Sequence, residues 1–162
     1  MELNIRAYAK NDKHGCMEAF KSNVPLYFTQ EEISQFETFL DNFLIRSMTE
    51  KNYIQTFYYV VEQNKKIIGC GGFGDKEGTS NITLAWGLIH KDVHKQGFGE
   101  KLLAHRLNEI QKLYPGAPVL IDTTQFSYPF FEKFGFETTK ITKDFYAPGM
   151  DRYDMIYEVK QV

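Results

Sequence analysis

Residues 92–103 constrain the fold of this chain more than any other stretch, because two glycines there separate two patterns of different period. Upstream, alternate positions are apolar, namely Ile82, Leu84, Trp86 and Leu88. A period of two predicts a strand with one buried face. Downstream, one side of a helical wheel carries Gly99, Leu103, Leu107, Ile110 and Tyr114, and Lys101, Arg106, Glu109 and Lys112 fall elsewhere. The stretch therefore predicts a strand, a glycine loop and an amphipathic helix.

The loop between these elements has the pattern Gly-x-Gly at Gly97 and Gly99. Glycine adopts positive φ at little cost and has no Cβ, so consecutive backbone N–H groups can turn toward one point. The start of a helix adds about half a positive charge and unpaired N–H donors. An ordinary tight turn has the same residue pattern. Before a helix, however, the natural ligand of such a loop is a phosphate or pyrophosphate.

Together, the strand, the turn and the helix resemble the acetyl-CoA-binding motif Arg/Gln-x-x-Gly-x-Gly/Ala of the Gcn5-related N-acetyltransferases, the GNAT family. This chain has His94-Lys95-Gln96-Gly97-Phe98-Gly99, with His94 where the family prefers Arg or Gln. A second segment, Phe130-Phe131-Glu132-Lys133-Phe134-Gly135-Phe136, resembles the family's Phe-Tyr-Glu-Lys-x-Gly-Phe, with Phe131 in the place of Tyr. The resemblance spans nearly the whole chain.

The resemblance implies that acetyl-CoA is the co-substrate and that no metal takes part. Backbone N–H groups of residues 96–100 would hold the pyrophosphate, and Lys95 and Lys101 would add positive charge at the rim. Backbone donors near Ile89 would polarise the thioester carbonyl, an effect often worth about 3 kcal/mol per donor. The residues implied at the cofactor are Leu88, Ile89, His94, Lys95, Gln96, Gly97, Phe98, Gly99, Glu100, Lys101, Thr124 and Phe131.

Acetyl transfer to an amine requires a proton to be removed, because an alkylamine with a pKa of about 10 is mostly protonated at neutral pH. Thr83 stands where the histone-acetylating branch of the family has its catalytic Glu. Asp122 is the first candidate base, as a carboxylate within the apolar run 119–123, which predicts a buried strand. His90, just past the preceding strand, is the second. The alternatives are that Asp122 caps the following loop and that His90 is simply solvated.

In the family, the first two helices and their connection line the acceptor side, which implies substrate contacts for Asn23, Tyr27 and Phe28. On the other side, residues 146–152 are predicted to form a loop that closes over the acceptor and includes Tyr146 and Arg152. Arg152 can bind a carboxylate bidentately. The alternatives are that Tyr27 and Phe28 only pack the helix corner, and that Arg152 pairs with Asp151 or Glu158 at the surface.

The remaining elements follow from local patterns. The sequence predicts strands over 3–8, 53–63, 66–73, 119–123, 137–145 and 153–160, a helix from 11–12 to about 21, a helix after the capping box Thr29-x-x-Glu32, and a short helix capped by Ser127. Residues 64–65 suit a two-residue hairpin turn.

Residues 69–74 match Gly-x-Gly-x-x-Gly, but a turn and a strand follow them. A dinucleotide fingerprint must open a helix, so that reading is rejected.

Composition bounds the class of protein. A chain of 162 residues fits one domain, 1–162, and its net charge of −2 gives no field that favours nucleic acid or an anionic membrane surface. Cys16 and Cys70 lack metal-ligand spacing, which predicts two buried thiols in a reducing cytosol. With no apolar signal region or membrane-spanning run, the protein is expected to be cytoplasmic. Edge strands in this architecture often pair between subunits, which leaves a homodimer open.

The sequence thus predicts a single-domain α/β protein with a mixed, mostly antiparallel sheet, splayed at its centre and flanked by helices. The expected reaction moves the acetyl group of acetyl-CoA to a primary amine of a small molecule or peptide, by direct attack in a ternary complex. The rival hypothesis is a non-catalytic acyl-CoA-binding sensor or scaffold. It is favoured by Phe131 in the place of Tyr and by Thr83 in the place of Glu.

Overall fold

The computed structural model describes residues 3–49, 55–75 and 81–158. Its helices and strands, in chain order, are β1 (Leu3–Ala7), α1 (Lys13–Lys21), α2 (Glu32–Thr49), β2 (Thr56–Gln63), β3 (Lys66–Asp75), β4 (Ile82–Ile89), α3 (Phe98–Leu113), β5 (Val119–Thr123), α4 (Tyr128–Lys133), β6 (Glu137–Ala147) and β7 (Met150–Tyr157). Short 3-10 turns lie at Lys10–Asp12 and Lys91–Val93. None of the helices in the described ranges is both long and apolar enough to cross a membrane.

The seven strands form one sheet in the order β1-β2-β3-β4-β5-β7-β6. Neighbouring strands are antiparallel except β4 and β5, which are parallel. β4 and β5 pair only at Ile82↔Val119 and Thr83↔Leu120, so the sheet opens between them beyond those residues. The predicted α/β domain with a mixed, mostly antiparallel and centrally splayed sheet is confirmed.

Helices cover the sheet on both faces. On one face, α3 and α4 pack over β4, β5 and β7 in a core that includes Leu84, Leu103, Val119 and Met155. On the other face, α1 and α2 pack over β2–β4 around Phe20, Phe36 and Tyr58, with Trp86 against this cluster. Cys16 and Cys70 are buried free thiols, as predicted. On this second face α1 packs on β3 and β4, whereas Asp122 on β5 and most residues of β6 are exposed, so this part of the sheet has an open area.

Local sequence signals explain most element boundaries. Asn64 and Lys65 have φ of 51° and 65°, the left-handed angles that a two-residue hairpin turn of this hand requires. At α2, the Glu32 carboxylate accepts the Thr29 N–H at 3.0 Å, which is one half of the predicted capping box. Ser127 occupies the N-cap position of α4, but its side chain makes no cap hydrogen bond, contrary to the prediction.

Two further predictions are wrong. The loop predicted at residues 146–152 is instead a tight turn, in which Gly149 has φ of 80° and lets β6 run to Ala147 and β7 begin at Met150. Tyr146 and Arg152 therefore lie on strands. Arg106, expected away from the apolar side of α3, is only 3% exposed and faces the sheet. The reason is that glycines on β3 and β4 leave room for its side chain.

Candidate active site

The splay between β4 and β5 leaves part of β4 without a neighbouring strand. From Leu84 to Ile89, the edge of β4 that faces β5 has no ladder partner among the residues that the structure describes, because the two strands pair only at their starts. Backbone N–H and C=O groups are strong hydrogen-bonding groups that need partners when water is excluded. A ligand that enters the splay can therefore bond to β4 as a missing strand would.

A bulge shapes β4 inside this opening. The register with β3 shifts between Cys70 and Gly72, and Trp86 opposite them has φ of 42°, which is unusual for an aromatic residue. The Tyr58 hydroxyl donates to the Trp86 carbonyl at 2.7 Å. Tyr58 is itself 2% exposed, so this bond fixes the bulge to the core. The sequence analysis missed Tyr58, and no local pattern marks it.

The glycine loop follows β4 and opens α3. Gly97 is the N-cap of α3 with φ of 85°, and a Cβ placed there would meet nothing within 4 Å. The Lys101 N–H donates to the Gly97 carbonyl at 3.2 Å. N–H groups in the first turn of a helix have no acceptor within the helix. Phe98 is buried against Val61, Ile68 and Leu102, so the loop is anchored while its backbone faces open space. This is the geometry of an anion cradle.

His94, the departure from the family motif, ties the loop to the end of β4. Its Nε2 donates to the Ile89 carbonyl at 2.7 Å, and Asn23 Nδ2 donates to the same carbonyl at 2.9 Å. The ring of Tyr27 lies edge-on to the His94 ring, with centroids 5.5 Å apart, and 6.4 Å from the ring of Phe126. Tyr27 therefore stands between the glycine loop and the β5–α4 connection. Phe28, in contrast, stacks on Phe20 at 4.4 Å and belongs to the aromatic core.

The other residues predicted at the cofactor differ in exposure. Lys95, Gln96, Glu100 and Lys101 are exposed around the loop. Three are buried beside the splay, namely Leu88, Thr124 and Phe131. The Thr124 hydroxyl accepts the Phe126 N–H at 3.3 Å, and the Phe131 ring packs edge-on against Phe136 with centroids 5.5 Å apart.

Asp122 and Tyr146 form a hydrogen-bonded pair on the open area of the sheet. The Tyr146 hydroxyl donates to Asp122 Oδ2 at 2.7 Å. Burial and this bond raise the pKa of Tyr146 well above its usual value, so the phenol stays protonated and acts as the donor. The expected burial of Asp122 is wrong, since its side chain is exposed. It points away from the α3 and α4 face, where Val119 and Ile121 pack.

Charged neighbours surround this pair. Asp154 lies directly opposite Asp122 in the β5–β7 register, and both Nε and Nη2 of Arg152 contact Asp154 Oδ1 at 2.9 Å. Arg152 thus pairs with Asp154 rather than with Asp151 or Glu158. Its guanidinium also lies 4.7 Å from the centroid of the Phe145 ring. The charge of Glu32, at the start of α2, makes a small further contribution to the raised pKa of Tyr146.

The imidazole of His90 is less suited to accept a proton. Its Nδ1 accepts the Asp92 N–H at 3.1 Å, so the neutral ring carries its proton on Nε2. The acceptor nitrogen is then already occupied. Asp122 accepts one bond from Tyr146 and, as a carboxylate, retains further acceptor sites.

Known proteins share this architecture. An N-alpha-acetyltransferase from Sulfolobus acidocaldarius is 26% identical over 150 residues, 85% of this chain and 79% of that protein. A solved member of the GNAT family from Desulfovibrio desulfuricans matches with a TM-score of 0.82 at 19% identity, over 98% of this chain and 100% of that one. The PaiA N-acetyltransferase from Thermoplasma acidophilum, solved with coenzyme A, matches with a TM-score of 0.74 at 16% identity, over 98% of this chain and 100% of that one.

The match to a family model is broader than any single motif. The model of the acetyltransferase (GNAT) domain matches residues 26–159, from the α1–α2 connection to just past the end of β7. This range contains the splay, the glycine loop and the Asp122–Tyr146 pair. The chain therefore belongs to the GNAT acetyltransferase family.

Proposed function

We propose that this protein transfers the acetyl group of acetyl-CoA to a primary amine of a small molecule or peptide, by direct attack in a ternary complex. The observation that carries the proposal is the position of the open β4 edge. It runs from the Asp122–Tyr146 pair toward the glycine loop at the start of α3. One opening in the sheet can thus receive the cofactor from one side and the amine from the other.

The cofactor fits the residues on its side of the splay. The pyrophosphate would lie at the N–H groups of residues 96–100, where Gly97 leaves open space. Lys95 and Lys101 add positive charge at the exposed rim. The pantetheine arm would extend along β4, beside Leu88 and Thr124, and bring the thioester carbonyl to backbone donors near Ile89. Donors that are already fixed when the negative charge develops on oxygen stabilise it without reorganisation.

The acceptor amine would enter over the carboxylate of Asp122. Asp122 removes one proton from the ammonium group, directly or through a water molecule, and Tyr146 holds the carboxylate in place through its hydroxyl. The free nitrogen pair then attacks the thioester carbon, and the C–S bond breaks as the carbonyl re-forms. Phe131 has no hydroxyl to protonate the sulfur. A thiol with a pKa near 8.5 leaves tolerably as thiolate, which water or the amine's second proton neutralises.

The side chains around Asp122 also suggest which acceptors to test first. Arg152 pairs with Asp154, opposite Asp122, so the remaining carboxylate of Asp122 favours a cationic amine. The relative from Sulfolobus acidocaldarius is an N-alpha-acetyltransferase, which makes the α-amino group of a peptide the first acceptor class to try. Free diamines and amino acids form the second.

The test is transfer from isotope-labelled acetyl-CoA across a panel of peptides, diamines and amino acids, read by mass spectrometry of the acceptor. The proposal expects label on an amine nitrogen of at least one class. The rival sensor hypothesis draws support from Phe131 and Thr83. It would be favoured if the protein binds acetyl-CoA tightly, labels no acceptor, and gains transfer only in Phe131→Tyr.

A further inference from the structure

Arg106 occupies an unusual place for a charged residue. It lies on the face of α3 that packs on the sheet, and it is 3% exposed. Its Nη1 donates to the Gly72 carbonyl at 3.4 Å, a long contact, and its Nε has no hydrogen-bond partner among the described residues. Burial lowers the pKa of Arg106 to about 10, with only Tyr58 and Cys70 opposing that effect. The guanidinium therefore remains charged at neutral pH without a carboxylate partner in the described part of the chain.

Two glycines make room for this guanidinium. A Cβ at Gly87 would lie 2.7 Å from Nη2 and 2.9 Å from Nη1 of Arg106, and a Cβ at Gly71 would lie 3.3 Å from its Cζ. A Cβ at position 87 would therefore force the guanidinium of Arg106 to shift. Gly71 belongs to the glycine-rich run of β3 that resembles a dinucleotide fingerprint, so part of that run accommodates an arginine.

The guanidinium lies behind the bulge of β4. Gly87 directly follows Trp86, whose φ of 42° marks the bulge. From the other face of the sheet, the Tyr58 hydroxyl holds the Trp86 carbonyl at 2.7 Å. The Trp86–Gly87 backbone is thus held between Tyr58 on the α1 and α2 side and Arg106 on the α3 side. This stretch of β4 is also the one without a β5 partner, so no ladder hydrogen bonds fix it from that edge.

A buried cation without a close anion usually lowers stability, and well-packed apolar residues in its place are often neutral or stabilising. We propose that Arg106 is a positioning residue: it holds the β4 bulge from the α3 side and so sets the path of the β4 backbone toward the donors near Ile89 that would meet the thioester. The catalytic consequence rests on the proposed function. Reacting groups must be placed within fractions of an ångström, and a misplacement of about 1 Å can cost a hundredfold in rate. Arg106 acts through Gly87 and Trp86 and does not itself touch the substrate.

The first experiment compares wild type with Arg106→Met and Arg106→Lys. Trp86 is the only tryptophan in the chain, so intrinsic fluorescence reports on the bulge directly. We expect Arg106→Met to shift the Trp86 emission and to lower kcat by roughly tenfold to a hundredfold. KM for acetyl-CoA should stay equal or fall, and the melting temperature should stay equal or rise. Arg106→Lys, which keeps the charge but not the planar group, should lie between wild type and Arg106→Met in both emission and kcat.

The matched control is Ile110→Ala, one helical turn further along the same buried face of α3. It should lower the melting temperature without shifting Trp86 emission. Wild-type kcat and emission in Arg106→Met would overturn the proposal, as would an equal loss of kcat in the control. If wild type transfers nothing, the proposed function fails. In that case the emission still decides whether Arg106 shapes the bulge.

A second variant keeps the test decisive if Arg106→Met does not fold. Gly87→Ala leaves the arginine in the chain but places a methyl group 2.7 Å from its Nη2, which displaces the guanidinium, so it should reproduce the emission shift and the loss of kcat. Where both single variants fold, the double variant should be no worse than the more affected single one, because both changes act through one contact. Wild-type emission in Gly87→Ala, or losses that multiply in the double variant, would contradict the proposal.

Discussion

The two sides of the splay are built in different ways. On the cofactor side, the candidate ligand groups are backbone N–H groups at the start of α3, and their placement depends on Gly97 with φ of 85° and on the buried anchor Phe98. On the acceptor side, the candidate groups are side chains on exposed strands, joined by a hydrogen bond from Tyr146 to Asp122 and a pair between Arg152 and Asp154.

This difference has a direct consequence for substitutions. A backbone cradle tolerates changes of side chain but not of backbone angle, which is how His94 can replace Arg or Gln and serve another purpose. A side-chain site instead depends on single atoms. Variants of the cofactor side should therefore change CoA affinity, whereas variants of the acceptor side should change turnover.

The largest expected effect is that of Asp122→Asn. Without a carboxylate to accept the proton, kcat should fall by roughly 10²- to 10⁴-fold while CoA affinity stays unchanged. The measurement is steady-state transfer alongside calorimetry with CoA. The matched control is Asp154→Asn, directly opposite on β7, which should raise acceptor KM but keep kcat. If Asp122→Asn folds and keeps wild-type turnover, the base lies elsewhere.

Gly97→Val tests the cofactor side. A β-branched residue at positive φ costs roughly 1–2 kcal/mol of strain and fills the space in front of the cradle. Loss of two charge-assisted hydrogen bonds, each worth about 1.5–3 kcal/mol, should weaken CoA binding by roughly a hundredfold or more. Gly116→Val is the control, because Gly116 has φ of 78° in an open turn after α3. It should lose similar stability and keep CoA affinity. If the two variants bind CoA with equal affinity, residues 96–100 do not hold the pyrophosphate.

Tyr146→Phe tests whether the Tyr146 hydroxyl holds the Asp122 carboxylate in place on the acceptor side. The ring remains, but the donor to Asp122 is lost, so kcat should fall by about tenfold, or about 1.4 kcal/mol of barrier. Because burial and Asp122 raise the pKa of Tyr146, the bond persists at alkaline pH. The ratio of wild-type to variant kcat should therefore stay constant from about pH 7 to about pH 9. If the ratio instead falls toward one as the pH rises, the hydroxyl ionises in this range and has another role.

Phe131→Tyr should have the smallest effect. The Phe131 ring is buried against Phe136, and a thiolate leaving group needs little help. We expect turnover to change by less than about tenfold. A much larger gain, measured at saturating acetyl-CoA, would show that the missing hydroxyl limits the wild-type reaction.

How far the sequence predicts the structure differs between the same two sides. The glycine loop and the hairpin at Asn64 and Lys65 are encoded locally, because particular residues permit left-handed backbone angles. The bulge is not encoded in this way, since an aromatic residue such as Trp86 disfavours a φ of 42° and a contact distant in sequence, the hydrogen bond from Tyr58, holds it. The exposure of Asp122 likewise depends on which strands the helices cover, and the periodicity of a strand does not reveal this.

Amide hydrogen exchange with and without CoA, in the absence of acceptor, tests most directly whether the splay has a cofactor side and a separate acceptor side. We expect protection at residues 96–100 and along β4 from Leu84 to Ile89, with the β6–β7 hairpin around Tyr146 and Arg152 unchanged. Protection confined to that hairpin, or none at residues 96–100 at saturating CoA, would contradict this expectation.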